Sequence, residues 1–418
     1  FYQTERLRHH PSIVLWCGNN EVSNGWFDWG WQKQFNYSAI DSTEIWNANK
    51  YIFEDLIPKT LKQIDKNAYY WPSSPMYGWG HPENNTHGDA HYWGVWWGKQ
   101  DFEVYFEKTG RFMSEYGYQS MPALKTLKTI ADTNNLSINN PEIRNHQKHS
   151  YGFENIDDAI EKYLGKENSF EEYIYLSQIA QATAMQIAFD AHFSTAPHCM
   201  GTLFWQFNDC WPSISWSAVD YNLQAKALHY TTKRMFAPIY IYYRPDNDII
   251  KFYVFSDDKN IENLKAKVEI YDFYGKLINQ SDLKTNISSN RANLINFSYT
   301  ELYKNLKPKE HFAKVSIYSK DSLICSRAFY FERDKNLKLP QTEISINKTI
   351  VENQIQVVLF SDKLAKHIAL EADGVIFSDN YFDILPGEVK TVSGSIAKGK
   401  KLEEIDLNFM FYNVLTKE

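Results

Sequence analysis

Hydrophobic residues follow two different patterns along the chain, and the change between them limits what each part can fold into. All 13 tryptophans lie between Trp16 and Trp216. The rest of the chain instead alternates hydrophobic with polar residues, as in the stretches AKVEIYDF (265–272), AKVSIYS (313–319), NQIQVVLF (353–360) and IDLNFMF (405–411). A period of two, broken by turns rich in Asn, Asp, Gly and Lys, predicts the antiparallel strands of β-sandwiches.

The tryptophan-rich part alternates short strand-like stretches with helical patterns. Strands are predicted near residues 13, 70, 91, 113 and 203, and helices over 43–64, 170–192 and 223–236. The second of these helices is expected to begin with a capping box of Ser169 and Glu172. Repeated strand–helix units predict a parallel sheet, open or closed into a barrel, whose functional residues lie at the carboxyl ends of the strands.

A charged segment that contains proline, RDKNLKLPQ (333–341), separates two blocks of alternating residues. We therefore predict three domains: an α/β domain over residues 1–238, an Ig-like β-sandwich over 239–337 and a second Ig-like β-sandwich over 338–418. A chain of 418 residues has the length expected of two or three domains.

The composition argues against several classes of function. Its 43% hydrophobic and 23% charged residues are ordinary for a soluble globular protein. A formal net charge of -7 gives no basic surface for nucleic acid, so no nucleic-acid partner is predicted. No apolar run approaches the roughly 20 residues that a membrane span needs. The four cysteines are too few and too scattered for a disulfide framework or a CxxC metal site.

Two glutamates follow predicted strands. Glu21 ends the stretch HPSIVLWCGNNE (10–21), and Glu115 lies within RFMSEYG (111–117). Taken alone, each is more often a residue at a helix start or on the surface. As a pair at the same edge of a parallel sheet, they match retaining glycoside hydrolysis, which needs a nucleophile and an acid/base roughly 5 to 5.5 Å apart. Flat aromatic side chains suit the apolar faces of sugar rings, which fits the many tryptophans nearby.

Three long motifs carry a family resemblance. HPSIVLWCGNNE (10–21), RFMSEYGYQSMP (111–122) and GTLFWQFNDCWPSISWSAVDY (201–221) closely resemble, in this order, the β-mannosidases of glycoside hydrolase family 2. The resemblance covers about residues 6–240, and FSDNYFDILPGE (377–388) resembles the terminal β domain of that family.

The resemblance implies a role for individual residues. Glu21, at the end of the fourth barrel strand, would be the general acid/base, and Glu115, at the end of the seventh, the nucleophile. Asn20 would donate a hydrogen bond to the sugar 2-hydroxyl, and Trp205 would be the platform under the sugar. The further substrate-binding aromatics would be Trp29, Trp93 and Trp97. Many relatives hold the nucleophile with a Tyr or His near the sixth strand, for which His91 and Trp97 are both candidates.

The resemblance also has a gap, because a closed barrel needs eight strands and only five are predicted here. The family carries further β domains ahead of its barrel. We therefore expect the carboxyl-terminal part of a TIM (β/α)8 barrel, about strands 4 to 8, followed by two Ig-like sandwiches. Such a chain would be an N-terminally truncated fragment, inactive or nearly so by itself.

Three interpretations of function remain open from the sequence. The first is a retaining exo-acting β-mannosidase that releases terminal β-D-mannose from mannoside oligosaccharides or glycan ends. The second is another family 2 exo-glycosidase, such as a glucosaminidase, galactosidase or glucuronidase. The third is a fragment that binds carbohydrate through its tryptophans without turnover.

Cofactors, metal and location are less constrained. His81, His87 and His91 lie among Gly and aromatic residues typical of a loop, and no HExxH pattern is present, so neither a metal nor a cofactor is predicted. Seven Asn-x-Ser/Thr triplets would suit a secreted or lysosomal protein, although an Asn-rich chain produces them by chance. We expect a bacterial periplasmic or secreted enzyme, with a lysosomal protein as the alternative.

Overall fold

The computed structural model describes residues 1–247, 249–257, 259–398 and 405–415. These residues form two compact units. The first unit contains residues 1–116 and 198–204, and the second contains residues 117–197 and the chain from Trp205 onward.

The first unit is built on two short pairs of parallel strands. Strand β1 (Trp16–Asn20) pairs with β2 (Tyr70–Ser74), and β3 (Ala90–His91) pairs with β4 (Met113–Glu115). Parallel pairing requires a connection that returns to the start of the sheet, and between β1 and β2 helices make that connection. All four strands lie near predicted positions, so this part of the α/β prediction is confirmed.

The fifth strand, predicted near residue 203 within TLFWQF (202–207), is wrong beyond its first residue. Thr202 forms an isolated parallel bridge with Met113, flanked by hydrogen bonds from Met113 N to Gly201 O (2.9 Å) and from Leu203 N to Met113 O (2.8 Å). In the second unit, the N–H of Gln206 donates to Trp216 O (3.2 Å), in a loop. A hydrophobic run becomes a strand only where a partner accepts its backbone bonds, and here the partners change after Leu203.

Five helices belong to the first unit, and the predicted helix over 43–64 is confirmed within them. It begins earlier, at the Ser38–Asp41 capping box, and a π-helical turn over Tyr51–Leu56 divides it. The helices of the first unit are α1 (Tyr2–Leu7), α2 (Val22–Phe27), α3 (Trp31–Gln34), α4 (Ala39–Lys50) and α5 (Ile57–Ile64).

The second unit begins with helices around one long, buried helix. Its helices are α6 (Leu124–Leu127), α7 (Pro141–Asn145), α8 (Gly152–Ala159), α9 (Phe170–Phe193), α10 (Ala227–Met235) and, later, α11 (Tyr299–Leu302). The predicted bounds of α9 are confirmed to within one residue. Ser169 Oγ accepts from Glu172 N as expected, but the Glu172 carboxylate accepts from Asn168 N (2.7 Å), so the predicted capping box is only half formed.

The first sandwich follows α10 and consists of two antiparallel sheets. One sheet has the order β11-β10-β7-β8 and the other β5-β6-β9. Their inward-facing side chains, among them Phe252, Val268 and Val315, form a common core. The strands are β5 (Ile239–Asp246), β6 (Ile249–Ser256), β7 (Ile261–Asp272), β8 (Leu277–Ile287), β9 (Asn293–Leu294), β10 (His311–Ser319) and β11 (Ser322–Tyr330).

The second sandwich repeats this construction with shorter strands. Its sheets have the orders β12-β13-β17-β15 and β16-β14-β18 around a core that includes Ile355, Ile368 and Val392. The strands are β12 (Ser345–Val351), β13 (Gln354–Phe360), β14 (Ala365–Glu371), β15 (Val375–Phe377), β16 (Phe382–Ile384), β17 (Val389–Ile396) and β18 (Asn408–Met410). The molecule is thus a mixed α/β region followed by Ig-like β-sandwiches. No helix in the described ranges is long and apolar enough to span a bilayer.

Candidate active site

Glu21 lies directly after β1, in a backbone conformation that is unusual for a residue with a side chain. Its φ of 58° is left-handed, and it forms the N-cap of α2. Its N–H donates to Ser74 O (2.8 Å) at the end of the neighbouring strand. Non-glycine residues adopt this conformation at a cost and are concentrated at functional sites. The preceding residue, Asn20, is exposed at the same strand end.

Glu115 ends β4 and is buried, with 8% of its surface exposed. It lies opposite His91, and a register shift makes Ser114 the extra residue of β4. Such bulges re-aim side chains beside functional sites. The indole N–H of Trp93 donates to Glu115 Oε2 (3.0 Å). Of the aromatics predicted to line the site, Trp93 is therefore in direct contact with a catalytic candidate.

The imidazole of His91 lies between the two glutamates. Its Nδ1 is 2.9 Å from Glu21 Oε1 and 3.1 Å from Glu115 Oε2. Oxygen atoms of the two carboxylates approach to within 4.8 Å of one another. The structure thus brings the two predicted carboxylates together. Of the two candidates for the residue that holds Glu115, His91 contacts it directly.

The charge of His91 follows from this position. Burial alone would lower the pKa of the imidazole, but hydrogen bonds and negative charge from Glu115 and Glu21 raise it to about 9. The ring is therefore cationic at neutral pH. A cation that contacts both carboxylates offsets the repulsion between two negative groups held close together.

Behind His91 lies a polar group that no sequence prediction included. Ser74 Oγ is 3.2 Å from His91 Nε2 and donates to Asp89 Oδ2 (2.5 Å). Asp89 is 3% exposed and also accepts from Ser114 Oγ (2.6 Å) and Met76 N (3.1 Å). The spacing of Asp89 and His91 at i and i+2 is a signal that could have found the pair, since such residues point to one face of a strand.

The other predicted aromatics have the following surroundings. Trp29, between α2 and α3, is half-exposed and packs edge-on against Trp31. Trp97 is half-exposed, and its N–H donates to Trp93 O (2.8 Å). Trp205 belongs to the second unit, so its role as the platform under the sugar stays a prediction.

Among the described residues, one group of three metal-ligating side chains lies close together, namely Glu21, His91 and Glu115. The N–O separations of 2.9 and 3.1 Å are those of hydrogen bonds, which account for the grouping without an ion. The remaining histidines of the loop contact other groups: His81 contacts Asp28 (3.0 Å) and His87 contacts Thr86 (2.8 Å).

Comparison with known proteins agrees with this fold. The family model of the mannosidase Ig/CBM-like domain matches residues 248–336, and that of the mannosidase Ig-fold domain matches residues 339–412. Beta-mannosidase B of Emericella nidulans is 29% identical over 98% of this chain, and that of Aspergillus niger is 28% identical over 94%. The chain spans about half the length of these relatives, 51% and 49% respectively.

Solved structures also show similarity to a β-mannosidase over about half of its length. The β-D-mannosidase of Dictyoglomus thermophilum is 29% identical and superposes with a TM-score of 0.83 over 98% of this chain and 50% of its own. An exo-chitosanase of Amycolatopsis orientalis, 15% identical with a TM-score of 0.64 over 98% of this chain and 52% of its own, shares the fold. The chain is a relative of the glycoside hydrolases whose carboxyl-terminal domains are Ig-like. Within them, it is a relative of the β-mannosidases of glycoside hydrolase family 2.

Proposed function

We propose that this chain is the part of a retaining exo-acting β-mannosidase that carries both catalytic carboxylates. The observation that carries the proposal is the approach of Glu21 and Glu115 oxygens to within 4.8 Å around His91. A retaining enzyme needs its carboxyl groups roughly 5 to 5.5 Å apart, whereas an inverting enzyme leaves room for water at about 6.5 to 9.5 Å. The substrates would be terminal non-reducing β-D-mannose residues of mannosides.

In the proposed mechanism, each glutamate has one role. A Glu115 oxygen attacks the anomeric carbon while Glu21 protonates the departing glycosidic oxygen, so a covalent glycosyl-enzyme forms and the aglycone leaves. Glu21 then takes a proton from water, the water oxygen attacks the same carbon, and the Glu115 carboxylate is released. Trp93 holds Oε2 of Glu115, which leaves Oε1 as the attacking atom. Asn20 would bind the 2-hydroxyl, and Trp29, Trp97 and Trp205 would contact the sugars.

We further propose that β1 to β4 are the fourth to seventh strands of a TIM barrel and that the Thr202 segment is part of the eighth. The parallel pairing of the strands and the position of both glutamates at carboxyl ends support this assignment. The greater length of the relatives also supports it, since a closed barrel needs chain beyond the four strands described here.

The test uses the longest natural protein that contains this chain. Glu115→Ala should abolish mannoside hydrolysis and recover part of it with added azide, which replaces the nucleophile. Glu21→Ala should lose least activity on substrates with good leaving groups, which need little protonation. The exposed Glu262 on β7 provides the matched control, because Glu262→Ala should retain full activity.

Near-normal hydrolysis of an unactivated mannoside by both variants would refute the assignment of the two glutamates. A panel of nitrophenyl glycosides decides the substrate. Faster turnover of a glucosaminide, galactoside or glucuronide than of the mannoside would replace the proposed specificity, and mannoside binding without product release would replace the proposed enzyme with a carbohydrate-binding protein.

A further inference from the structure

The hydrogen positions around His91 follow from counting donors and acceptors. Asp89 receives three contacts, from the hydroxyls of Ser74 and Ser114 and from the backbone N–H of Met76. An ionised carboxylate accepts at both oxygens and donates nothing, so this arrangement fits an Asp89 anion. The single hydroxyl hydrogen of Ser74 is then committed to Asp89, at 2.5 Å.

The other contact of Ser74 fixes one hydrogen of the imidazole. Ser74 Oγ and His91 Nε2 are 3.2 Å apart. Since Ser74 has no second hydrogen to donate, it accepts here, and the hydrogen lies on His91 Nε2. The negative charge of Asp89, 3.9 Å from this nitrogen, stabilises that hydrogen and the cationic form of the ring.

The opposite nitrogen is where the two glutamates meet. Nδ1 is within hydrogen-bonding distance of one oxygen of Glu21 and one of Glu115. Carboxylate oxygens only accept, so a hydrogen must lie in this space, either on Nδ1 or on a carboxyl group. Trp93 already donates to Glu115 Oε2, which favours an ionised Glu115 and leaves the hydrogen to His91 and Glu21.

We propose that Asp89, acting through Ser74, is a positioning residue that keeps a hydrogen on His91 Nε2 and thereby makes Nδ1 the donor of the proton that Glu21 uses as an acid. The step moves one proton across the 2.9 Å between Nδ1 and Glu21 Oε1. Glu21 becomes a neutral acid, His91 becomes a neutral imidazole that still donates from Nε2 to Ser74, and Glu115 stays an anion. The catalytic part of this inference, the proton transfer to Glu21, rests on the proposed function. The hydrogen positions around His91 do not depend on it.

The groups that face His91 determine the expected pH dependence. They are Glu21 after β1, Glu115 on β4 and Asp89 before β3, all carboxylates, with Ser74 on β2 as the neutral contact. Each negative charge favours the cationic ring. Asp89→Asn should therefore lower the pKa of His91 by about one unit, since a nearby opposite charge has effects of this size.

The first test is nitrogen NMR of histidine-labelled chain, which measures the protonation of each imidazole nitrogen without any activity. His91→Gln identifies the His91 signals. In the unsubstituted chain, Nε2 should carry a hydrogen at every pH at which the chain is folded, and Asp89→Asn should shift the titration of His91 downward. A neutral ring with its hydrogen on Nδ1, or an unchanged titration in Asp89→Asn, overturns the proposal.

Two serines give a matched comparison that does not depend on the folding of Asp89→Asn. Both donate to Asp89 Oδ2, but Ser74 also contacts His91, whereas the described partners of His91 do not include Ser114. Ser74→Ala should move the His91 titration more than Ser114→Ala does, and equal shifts contradict the proposal. The exposed Asp55, paired with Lys59, supplies the charge control, because Asp55→Asn should leave His91 unchanged.

The second test is the pH profile of kcat/KM in the longest natural protein. Asp89→Asn should move the alkaline limb downward by about one unit, and Asp89→Glu should restore part of that shift. A purely structural role would lower the rate without moving the limb. If the NMR result holds but no glycoside is hydrolysed, the proposed function fails while the hydrogen positions stand. If glycoside is hydrolysed and the limb does not move, the assignment of Asp89 fails.

Discussion

Helical spacing predicts both α4 and α9, but the two helices have opposite surroundings. Of the 24 residues of α9, 18 are buried, whereas α4 has no buried residue. Ile45 of α4 and Leu56 of the following turn are 39% and 45% exposed, although their spacing predicts an apolar face turned to a core. A helix gains most of its stability from what covers its apolar face. The second unit covers its own helix, and the first leaves an apolar face uncovered.

The largest expected effect of this difference is on activity. We expect the 418-residue chain alone to be inactive or nearly so beside the longest natural protein at equal concentration. A misplacement of about 1 Å can cost on the order of 100-fold in rate, and an uncovered unit does not hold two carboxylates as rigidly as a complete one. The measurement is a mannosidase assay on both proteins. Comparable rates would show that the first unit is rigid enough without further cover.

A matched pair of leucines tests the comparison on stability. Leu176 in α9 is fully buried, and Leu56 is 45% exposed. Leu176→Ala should cost about 2–5 kcal/mol because it leaves a cavity. Leu56→Ala should cost about 0.5 kcal/mol or less in this chain. Hydrogen exchange resolved by segment measures the change in unfolding free energy that each substitution causes.

The same pair can then be examined in the longest natural protein. If the apolar face of α4 and α5 is covered there, Leu56→Ala should become several times more costly, while the cost of Leu176→Ala should not change. If Leu56→Ala costs the same free energy of unfolding in both proteins, this face is exposed to solvent in the natural protein too.

A last effect concerns the pH dependence of the stability of the first unit. The pKa of His91 is raised to about 9 from an ordinary value of 6.5. A raised pKa stabilises the folded state fully below about 6.5, and this contribution is lost as the pH rises through about 9. The loss should be on the order of 1–3 kcal/mol. Denaturant unfolding at several pH values should show it in the unsubstituted chain and not in His91→Gln, and the same pH dependence in both would contradict it.

Local patterns in the sequence predicted where individual helices and strands lie. The helix from Phe170, the alternating sandwich strands and the two glutamates after their strands all follow from spacing and turn residues. The motif resemblance to the β-mannosidases, which the comparisons support, added the expected roles of these glutamates.

Contacts between distant segments could not be predicted in the same way. His91 and Trp97 were both candidates for the neighbour of Glu115, and the pairing of His91 with Glu115 includes a register shift that the sequence does not show. Ser74 and Asp89 are 15 residues apart, and nothing in the sequence around them shows that they share a hydrogen bond. The segment after Leu203 resembles a strand, but its backbone partners lie in a loop.

The left-handed backbone of Glu21 favours glycine, whereas the role proposed for this residue needs a carboxylate. A residue with a β-carbon costs roughly 1 kcal/mol or more in this conformation, and glycine adopts it freely. Glu21→Gly should therefore be more stable than Glu21→Ala, although both remove the carboxylate. The proposed acid/base role would then maintain glutamate at a position where selection for stability alone would favour glycine, and a search for thermostable variants would tend to replace it.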